Sequence, residues 1–179
     1  MQIDEHTRLR FASAKDAPLV VEFVHLLAEY EHMADQAQAT VEDFRKYVFE
    51  EKKAEVIIVE YDGQPAGFAL FFHNFSTFLG RPGIYIEDLF VKPEFRGKGL
   101  GKLLLAFIAR LATERNCGRL EWSCLDWNEP SIAFYKSHGA RPMSEWTAYR
   151  VTGHELAELA AEAEGRGPPP EPAGNFSKR

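Results

Sequence analysis

The stretch IYIEDLFVKPEFRGKGLGKLLL, residues 84–105, decides the fold of this chain. It begins as a strand that is apolar except for Glu87 and Asp88, continues through a short basic connection, and enters a helix past three alternating glycines. Glycines at alternate positions let the backbone turn tightly and point successive N–H groups into one concavity, and the helix that starts there adds the positive end of its dipole. The stretch therefore predicts a strand, a turn and a helix that cradle a phosphate group.

Four cations surround this turn, namely Lys92, Arg96, Lys98 and Lys102. Because the chain carries a net charge of −6, a local cationic cluster opposed by Glu94 alone indicates a site for a diphosphate. A glycine-rich helix entry with solvated lysines is the alternative interpretation. The P-loop pattern needs Ser or Thr where Leu103 follows Lys102, and the dinucleotide pattern needs a glycine where Lys102 or Leu104 stands.

Upstream of this stretch the pattern predicts two helices and a hairpin after a first strand at residues 8–12. Ser13 with Asp16, and Thr40 with Asp43, have the spacing of capping boxes that open the two helices. The apolar positions expected on the helix faces are Leu19, Val20, Phe23, Val24, Leu27 and Tyr30 in the first, and Val41, Phe44, Tyr47 and Val48 in the second. Two β-rich runs flank Asp62-Gly63 and predict a hairpin, followed by a loop at residues 75–83.

Downstream, a helix is expected from Leu100 to Arg115, followed by a strand at residues 119–125. Asn128 can cap a short helix with Pro130 in its first turn, and Gly139 ends that helix. A last strand is expected at residues 146–151 and a last helix at 154–163. By length the default is one domain, over residues 1–163, and the proline-rich segment 164–179 is expected to be a disordered tail.

Composition and charge exclude several classes of protein. No apolar run approaches the roughly 20 residues of a membrane span, and the first ten residues lack a secretory apolar core, so we expect no membrane association and no export. The acidic balance argues against a nucleic-acid binder. The two cysteines indicate small buried thiols in a reducing, cytoplasmic setting, and the histidines lack metal-ligand spacing, so no metal is expected.

Four blocks carry a resemblance to a known family. Arg96-Gly97-Lys98-Gly99-Leu100-Gly101 resembles the R/Q-x-x-G-x-G/A acetyl-CoA pyrophosphate motif of the GNAT superfamily of N-acetyltransferases. YEHM (30–33), YIEDLFV (85–91) and WNEPSIAFYK (127–136) are similar to spermidine/spermine and thialysine N-acetyltransferases, and the resemblance covers about residues 8–160. It implies an α/β (α+β) GNAT fold with a mixed, mostly antiparallel central sheet flanked by helices, acetyl-CoA at a splayed central strand, and a homodimer.

The resemblance also implies roles for individual residues. Residues expected to bind acetyl-CoA are Leu89, Phe90, Val91, Arg96, Gly97, Lys98, Gly99, Leu100, Gly101, Lys102, Asn128, Glu129, Pro130, Ser131 and Tyr135. Glu87 is expected to act as the base through a water, with its proton affinity raised by desolvation and by Asp88; an ion pair or an N–H acceptor in a kinked strand is the alternative. Backbone N–H groups near Leu89 are expected to stabilise the oxyanion, and Tyr135 to protonate the leaving thiolate, although a lone tyrosine is also an ordinary core residue.

The substrate implied by the resemblance is a small primary amine. Tyr30, Glu31 and Glu87 are expected to contact it, while a solvated helix face explains nearby Glu29 and Asp35 equally well. A diamine, a polyamine and a thialysine-like amino acid all remain open, because the segment from Gly139 to Trp146 is shorter than in the polyamine enzymes and retains only Glu145. The alternative function is a non-catalytic CoA-binding module with a regulatory or interaction role.

Overall fold

Five strands form one sheet in the order β1-β2-β3-β4-β5, in a computed structural model that describes residues 1–163. The first four strands pair antiparallel with their neighbours and β5 runs parallel to β4. The strands are β1 Thr7–Phe11, β2 Glu55–Tyr61, β3 Gln64–Ser76, β4 Arg81–Val91 and β5 Leu120–Trp122. The expected mixed, mostly antiparallel sheet is thus confirmed.

Five helices accompany the sheet. They are α1 Ala17–Tyr30, α2 Val41–Asp43 with its continuation Phe44–Glu50, α3 Leu100–Glu114, α4 Glu129–Ser137 and α5 Gly153–Ala161. The chain divides into two compact units: Met1–Asn128 contains the whole sheet with α1, α2 and α3, and a second unit begins at Glu129 and contains α4 and α5. The single domain over residues 1–163 stays a prediction, and the expected disordered tail lies outside the described residues.

The hairpin between β2 and β3 forms where the turn signal predicts it. Asp62 and Gly63 both adopt positive φ, 49° and 74°, as a two-residue turn that matches the strand twist requires. The first capping box also forms: the Asp16 carboxylate accepts hydrogen bonds from the Ser13 N–H at 2.8 Å and the Ser13 hydroxyl at 2.9 Å. Arg10 also donates to this carboxylate and, as the main cause, lowers the pKa of Asp16 to about 2. The chain therefore enters α1 at a fixed angle to β1.

The sheet buries both of its faces. On one face, Val20 and Phe23 of α1 pack with alternate residues of the strands, and the rings of Phe23 and Phe68 stack at 5.1 Å. The intervening residues Ile57, Val59, Ala69 and Phe71 are also buried, and because strand side chains alternate they belong to the opposite face, where α3 contacts the sheet. Burial on both faces explains why β2 and β3 are almost continuously apolar.

Two of the predicted boundaries are wrong. The loop expected at residues 75–83 is shorter, because Phe75 pairs with Pro82 and Asn74 with Gly83, which extends both strands. Gly83 signals close packing there rather than a turn, since a Cβ at this position would collide with the Asn74 side chain. Strand β5 covers three residues, fewer than the seven of the predicted segment 119–125.

The second helix departs from the expected spacing. Its capping box forms, with the Asp43 N–H donating to the Thr40 hydroxyl at 3.2 Å, but from Phe44 onward the helix is a π-helix. Wider turns change which residues share a face, so Phe44 and Val48 pack against the core while Tyr47 is exposed.

No strand forms at residues 146–151, so that prediction is also wrong. Trp146 and Tyr149 are 72% and 93% exposed, and none of the described strands pairs with this segment. Aromatic and β-branched residues favour strands through contacts with neighbouring strands, and without a neighbour the preference is not realised. In the part of the chain that is described, no helix is both long and apolar enough to cross a membrane.

Candidate functional site

Strand β4 contains a bulge at Glu87. Leu89 pairs with Ala69 and Asp88 with Leu70, but the next pair joins Ile86 to Phe71, so Glu87 is an extra residue without a partner on β3. A bulge of this kind bends the strand and breaks the alternation of its side chains. The resemblance implies such a bulge, and here it falls on the residue expected to act as the base.

Beyond the bulge, β4 and β5 no longer pair. The parallel ladder joins residues Ile84, Tyr85 and Ile86 to β5 and then stops, so none of the described strands pairs with the far side of Asp88–Val91, which we call the uncovered edge. The Lys92 N–H donates to the Ala66 carbonyl at 2.9 Å. Since antiparallel hydrogen bonding alternates, the N–H and C=O groups of Leu89 and Val91 point toward the uncovered edge. This edge is the splayed central strand that the fold prediction requires.

The glycine-rich turn leads from this edge into α3. Gly97 and Gly99 have φ of 77° and 78°, and an added Cβ at either would meet nothing within 4 Å, so backbone conformation rather than space requires glycine. The first backbone bond of α3 joins the Leu103 N–H to the Gly99 carbonyl at 3.0 Å, and no side chain caps Gly99. The N–H groups of the first turn therefore remain available to an anionic ligand.

The cations around the turn are not equivalent. The Lys92 ammonium forms an ion pair with Glu22 at 2.9 Å, so the prediction that Glu94 alone opposes the cluster is wrong. The Arg96 guanidinium lies over the Tyr30 ring at 4.7 Å, and the Lys98 ammonium lies over the Tyr61 ring at 4.6 Å. Lys102 is exposed on the first turn of α3. Three cations, Arg96, Lys98 and Lys102, thus remain for a ligand.

The carboxylates lie at the other end of the uncovered edge. Asp88 shares a face with Phe90 and Leu70, and burial, then Glu87, then Glu31 raise its pKa to about 7. Burial also raises the pKa of Glu31. Glu87 is exposed, so the desolvation expected of it is found at Asp88 instead. The sequence shows two adjacent acids in an apolar strand. The bulge decides which of the two is more buried, and the sequence pattern does not predict the bulge.

Aromatic residues surround Tyr30 at the end of α1. The Tyr30 hydroxyl donates to the side-chain carbonyl of Asn128 at 3.3 Å, and Asn128 is buried. The Trp127 ring lies 6.1 Å from Tyr30 and 5.7 Å from the ring of His32, whose φ of 59° is unusual for a residue other than glycine. Among the predicted site residues, the structure therefore brings Tyr30, Arg96 and Asn128 together.

The remaining predicted residues lie on one helix of the second unit. Helix α4 carries Glu129, Pro130, Ser131 and Tyr135. It ends at Gly139 with φ of 85°, and the Ala140 N–H donates to the Tyr135 carbonyl at 3.2 Å, as in a glycine-terminated helix. Within residues 1–163, no three His, Cys, Asp or Glu side chains are grouped as a metal site would need.

Comparison with known proteins identifies the family. A family model described as "Acetyltransferase (GNAT) family" matches residues 20–140. The chain belongs to the GNAT family of acetyltransferases. It is 32% identical over 166 residues to the thialysine N-epsilon-acetyltransferase of Sus scrofa, covering 86% of this chain and 97% of the relative. It is 46% identical over 94 residues to the L-ornithine N5-acetyltransferase of Arabidopsis thaliana, covering 52% of this chain and 41% of that one.

A solved structure shares the fold of this acetyltransferase. An integron cassette protein from the mobile metagenome of V. cholerae superposes with a TM-score of 0.73 at 31% identity, over 88% of this chain and 99% of that one. Membership of the family makes the protein an N-acetyltransferase, and such enzymes take the acetyl group from acetyl-CoA. The residues present fit that co-substrate, because free amides at the start of α3 suit a diphosphate and the uncovered edge of β4 suits an extended amide-bearing arm.

Proposed function

We propose that the protein transfers an acetyl group from acetyl-CoA to a primary amine of a small cationic substrate, by direct attack of the amine. One observation carries the proposal: the bulge at Glu87 lies where β4 loses its pairing with β5, and the same strand leads into the glycine cradle. A thioester anchored at the cradle and extended along this edge would end beside the carboxylates. The geometry favours a catalyst over the non-catalytic CoA-binding module, as does the family.

The acetyl-CoA site follows from this arrangement. In the proposal the diphosphate binds the N–H groups of residues 97–102 with Arg96, Lys98 and Lys102, and the pantetheine arm bonds to the Leu89 carbonyl and the Val91 N–H as an added strand would. Phe90 is nearly fully buried, so its role is to hold the strand rather than to touch the ligand. The resemblance adds Asn128, Glu129, Pro130, Ser131 and Tyr135, and their roles remain part of the proposal.

The amine must lose a proton before it attacks the thioester carbon. Glu87 is exposed and can accept that proton through a water, while Glu31 and, above about pH 7, the ionised form of Asp88 supply negative charge that attracts the cation. The amine nitrogen then bonds to the acetyl carbon, and the N–H of Leu89 stabilises the oxyanion. As the C–S bond breaks, Tyr135 gives its proton to the CoA thiolate, which leaves as the thiol.

The nature of the amine is supported by charge and by similarity. Glu87 and Glu31 lie close enough to Asp88 to raise its pKa, and this group of acidic side chains favours a substrate with more than one positive charge. The relatives named for thialysine and ornithine act on the side-chain amine of a diamino acid. We therefore place such diamino acids first, and diamines and polyamines second.

The experiment is a panel of amines with thiol release as the readout. Thialysine, ornithine, lysine, putrescine and spermidine are compared with acetyl-CoA as donor, and the best amine is then tested with Glu87→Gln and Tyr135→Phe. Loss of a general base or acid lowers kcat by about 10²- to 10⁴-fold. Glu50→Gln changes an exposed carboxylate of the π-helix and serves as the control. Unchanged kcat in both site variants would remove these roles.

We also propose a cytoplasmic homodimer. Large apolar side chains of the second unit, Trp146, Tyr149, Leu156 and Leu159, are at least half exposed, as expected of a surface that a partner covers. Both cysteines are free thiols, which agrees with a reducing compartment. Light scattering of the purified protein tests the dimer, and a monomer mass at high concentration excludes it.

A further inference from the structure

Arg96 is held in place on three sides before any ligand binds. Its guanidinium lies over the Tyr30 ring at 4.7 Å and 5.9 Å from the Phe90 ring, and its Nε donates to the Val91 carbonyl at 3.1 Å. Among residues 1–163, Arg96 is thus paired with rings and a carbonyl rather than with a carboxylate. This arrangement occupies one face and one N–H of the guanidinium and leaves its terminal nitrogens for a ligand.

The ring beneath Arg96 is itself anchored. Tyr30 is the last residue of α1, and its ring packs against the core cluster that contains Phe23 and Phe90. Its hydroxyl donates to Asn128, which is buried. Tyr30 therefore fixes the guanidinium relative to β4, whereas the Lys98 ammonium lies over Tyr61, near the turn of the β2–β3 hairpin.

We propose that Tyr30 is a positioning residue for the diphosphate of acetyl-CoA, acting through Arg96. The inference rests on the proposed function and deepens it, because the resemblance assigns Tyr30 to the amine whereas its contacts lead to the cofactor turn. A planar guanidinium with fixed orientation presents two parallel N–H groups to two phosphate oxygens. Holding it there in advance avoids the entropy lost when a free arginine side chain is ordered by the ligand.

The decisive experiment compares a donor that has the diphosphate with one that lacks it. Tyr30→Leu removes the ring, Tyr30→Phe keeps the ring and loses the hydroxyl, and both are assayed with acetyl-CoA and with S-acetylpantetheine. A cation–π contact at an exposed site corresponds to a change of about 2- to 5-fold. We expect Tyr30→Leu to raise the KM for acetyl-CoA by that factor, with unchanged kcat and unchanged kcat/KM for S-acetylpantetheine. Tyr30→Phe keeps the ring beneath Arg96 but loses the bond to Asn128, so its KM for acetyl-CoA is expected to rise less than that of Tyr30→Leu.

Two further variants separate positioning from folding. Tyr47→Leu removes the ring beneath Lys46, at 4.8 Å on the exposed π-helix, and should change neither donor's kinetics. Arg96→Lys keeps the charge but loses the planar stack and the bond to Val91, so it should raise the KM for acetyl-CoA even if Tyr30→Leu does not fold. In an Arg96→Ala background, Tyr30→Leu should cause no further rise in the KM for acetyl-CoA.

Two results overturn the inference. One is an equal fall in kcat/KM of Tyr30→Leu with both donors, which means that Tyr30 acts on the fold or on the chemical step. The other is a raised KM for the amine alone. Calorimetry with CoA and pantetheine gives the same comparison without turnover. If the wild type binds CoA but acetylates no amine, the proposed function fails while the positioning role of Tyr30 is still decided by the ratio of the two affinities.

Discussion

At the scale of single residues, the carboxyl group of Asp88 makes the stability of the folded protein depend on pH. Its pKa is raised to about 7 in the folded protein, against an ordinary value of 3.8. Because the folded state holds this proton more tightly than the unfolded chain does, folding is favoured at low pH, and that advantage is lost as pH rises from about 4 to 7. At pH 8 the Asp88 carboxylate is ionised in the folded protein, and its burial then lowers the free energy of unfolding by the full amount.

Asp88→Asn is therefore predicted to stabilise the protein at pH 8. A gain of about 1 kcal/mol corresponds to a rise in Tm of about 2–4 °C for a chain of this size. The same substitution should change Tm little at pH 4, where the wild-type carboxyl is already protonated in the folded state. Differential scanning calorimetry at both pH values measures this, with Glu50→Gln as the control, and an equal shift at both pH values contradicts it.

The pair Glu87-Asp88 also shows what a residue pattern can predict. Two acids in an apolar strand indicate a functional site, and they do lie at the point where β4 opens. The pattern cannot tell which acid is buried, because a one-residue bulge reverses the faces of all residues on one side of it. Likewise, Lys92 forms an ion pair with Glu22, which lies 70 positions away in the sequence, and no local spacing predicts this pair.

At the scale of elements, prediction succeeded where local chemistry decides the conformation. The Asp62-Gly63 hairpin, both capping boxes and the glycine turn before α3 depend on a few adjacent residues, and all are found. The segments that failed depend on distant partners: the strand at 146–151 needed a neighbour, and the π-helix shifted Tyr47 out of the core. The ends of β3 and β4 extended because two strands stabilise each other across the loop.

The glycine turn gives a prediction for one element. Gly99→Ala forces an alanine into φ of 78°, which costs stability of about 1 kcal/mol and displaces N–H groups that the diphosphate needs. Gly80→Ala is the matched control, since Gly80 has φ of 60°, equally open surroundings and a place in the β3–β4 loop, at the end of β4 opposite the glycine turn. Thermal unfolding should show similar losses for both variants, whereas calorimetry should show weaker CoA binding for Gly99→Ala only. Equal CoA affinity in the two variants would place the diphosphate elsewhere.

At the scale of the whole molecule, the charge of the protein is opposite to that of the proposed amine substrate. The chain has a net charge of −6, and the acids at the bulge of β4 add a local negative field. Such a field raises the concentration of cations near the site and is screened by salt. The cationic turn before α3 is a local exception, at the site proposed for the diphosphate of acetyl-CoA.

Salt is therefore predicted to raise the KM for the amine when acetyl-CoA is saturating. The Debye length falls from about 10 Å at 0.1 M to about 3 Å at 1 M, so charges far from the site stop contributing before those beside it. Steady-state assays across this range should show a rising KM with nearly constant kcat. Glu31→Gln removes one nearby charge and should reduce the slope of log KM against log salt without abolishing it, because the rest of the acidic surface still acts. A KM that is indifferent to salt in the wild type would show that the amine is bound by contacts other than charge.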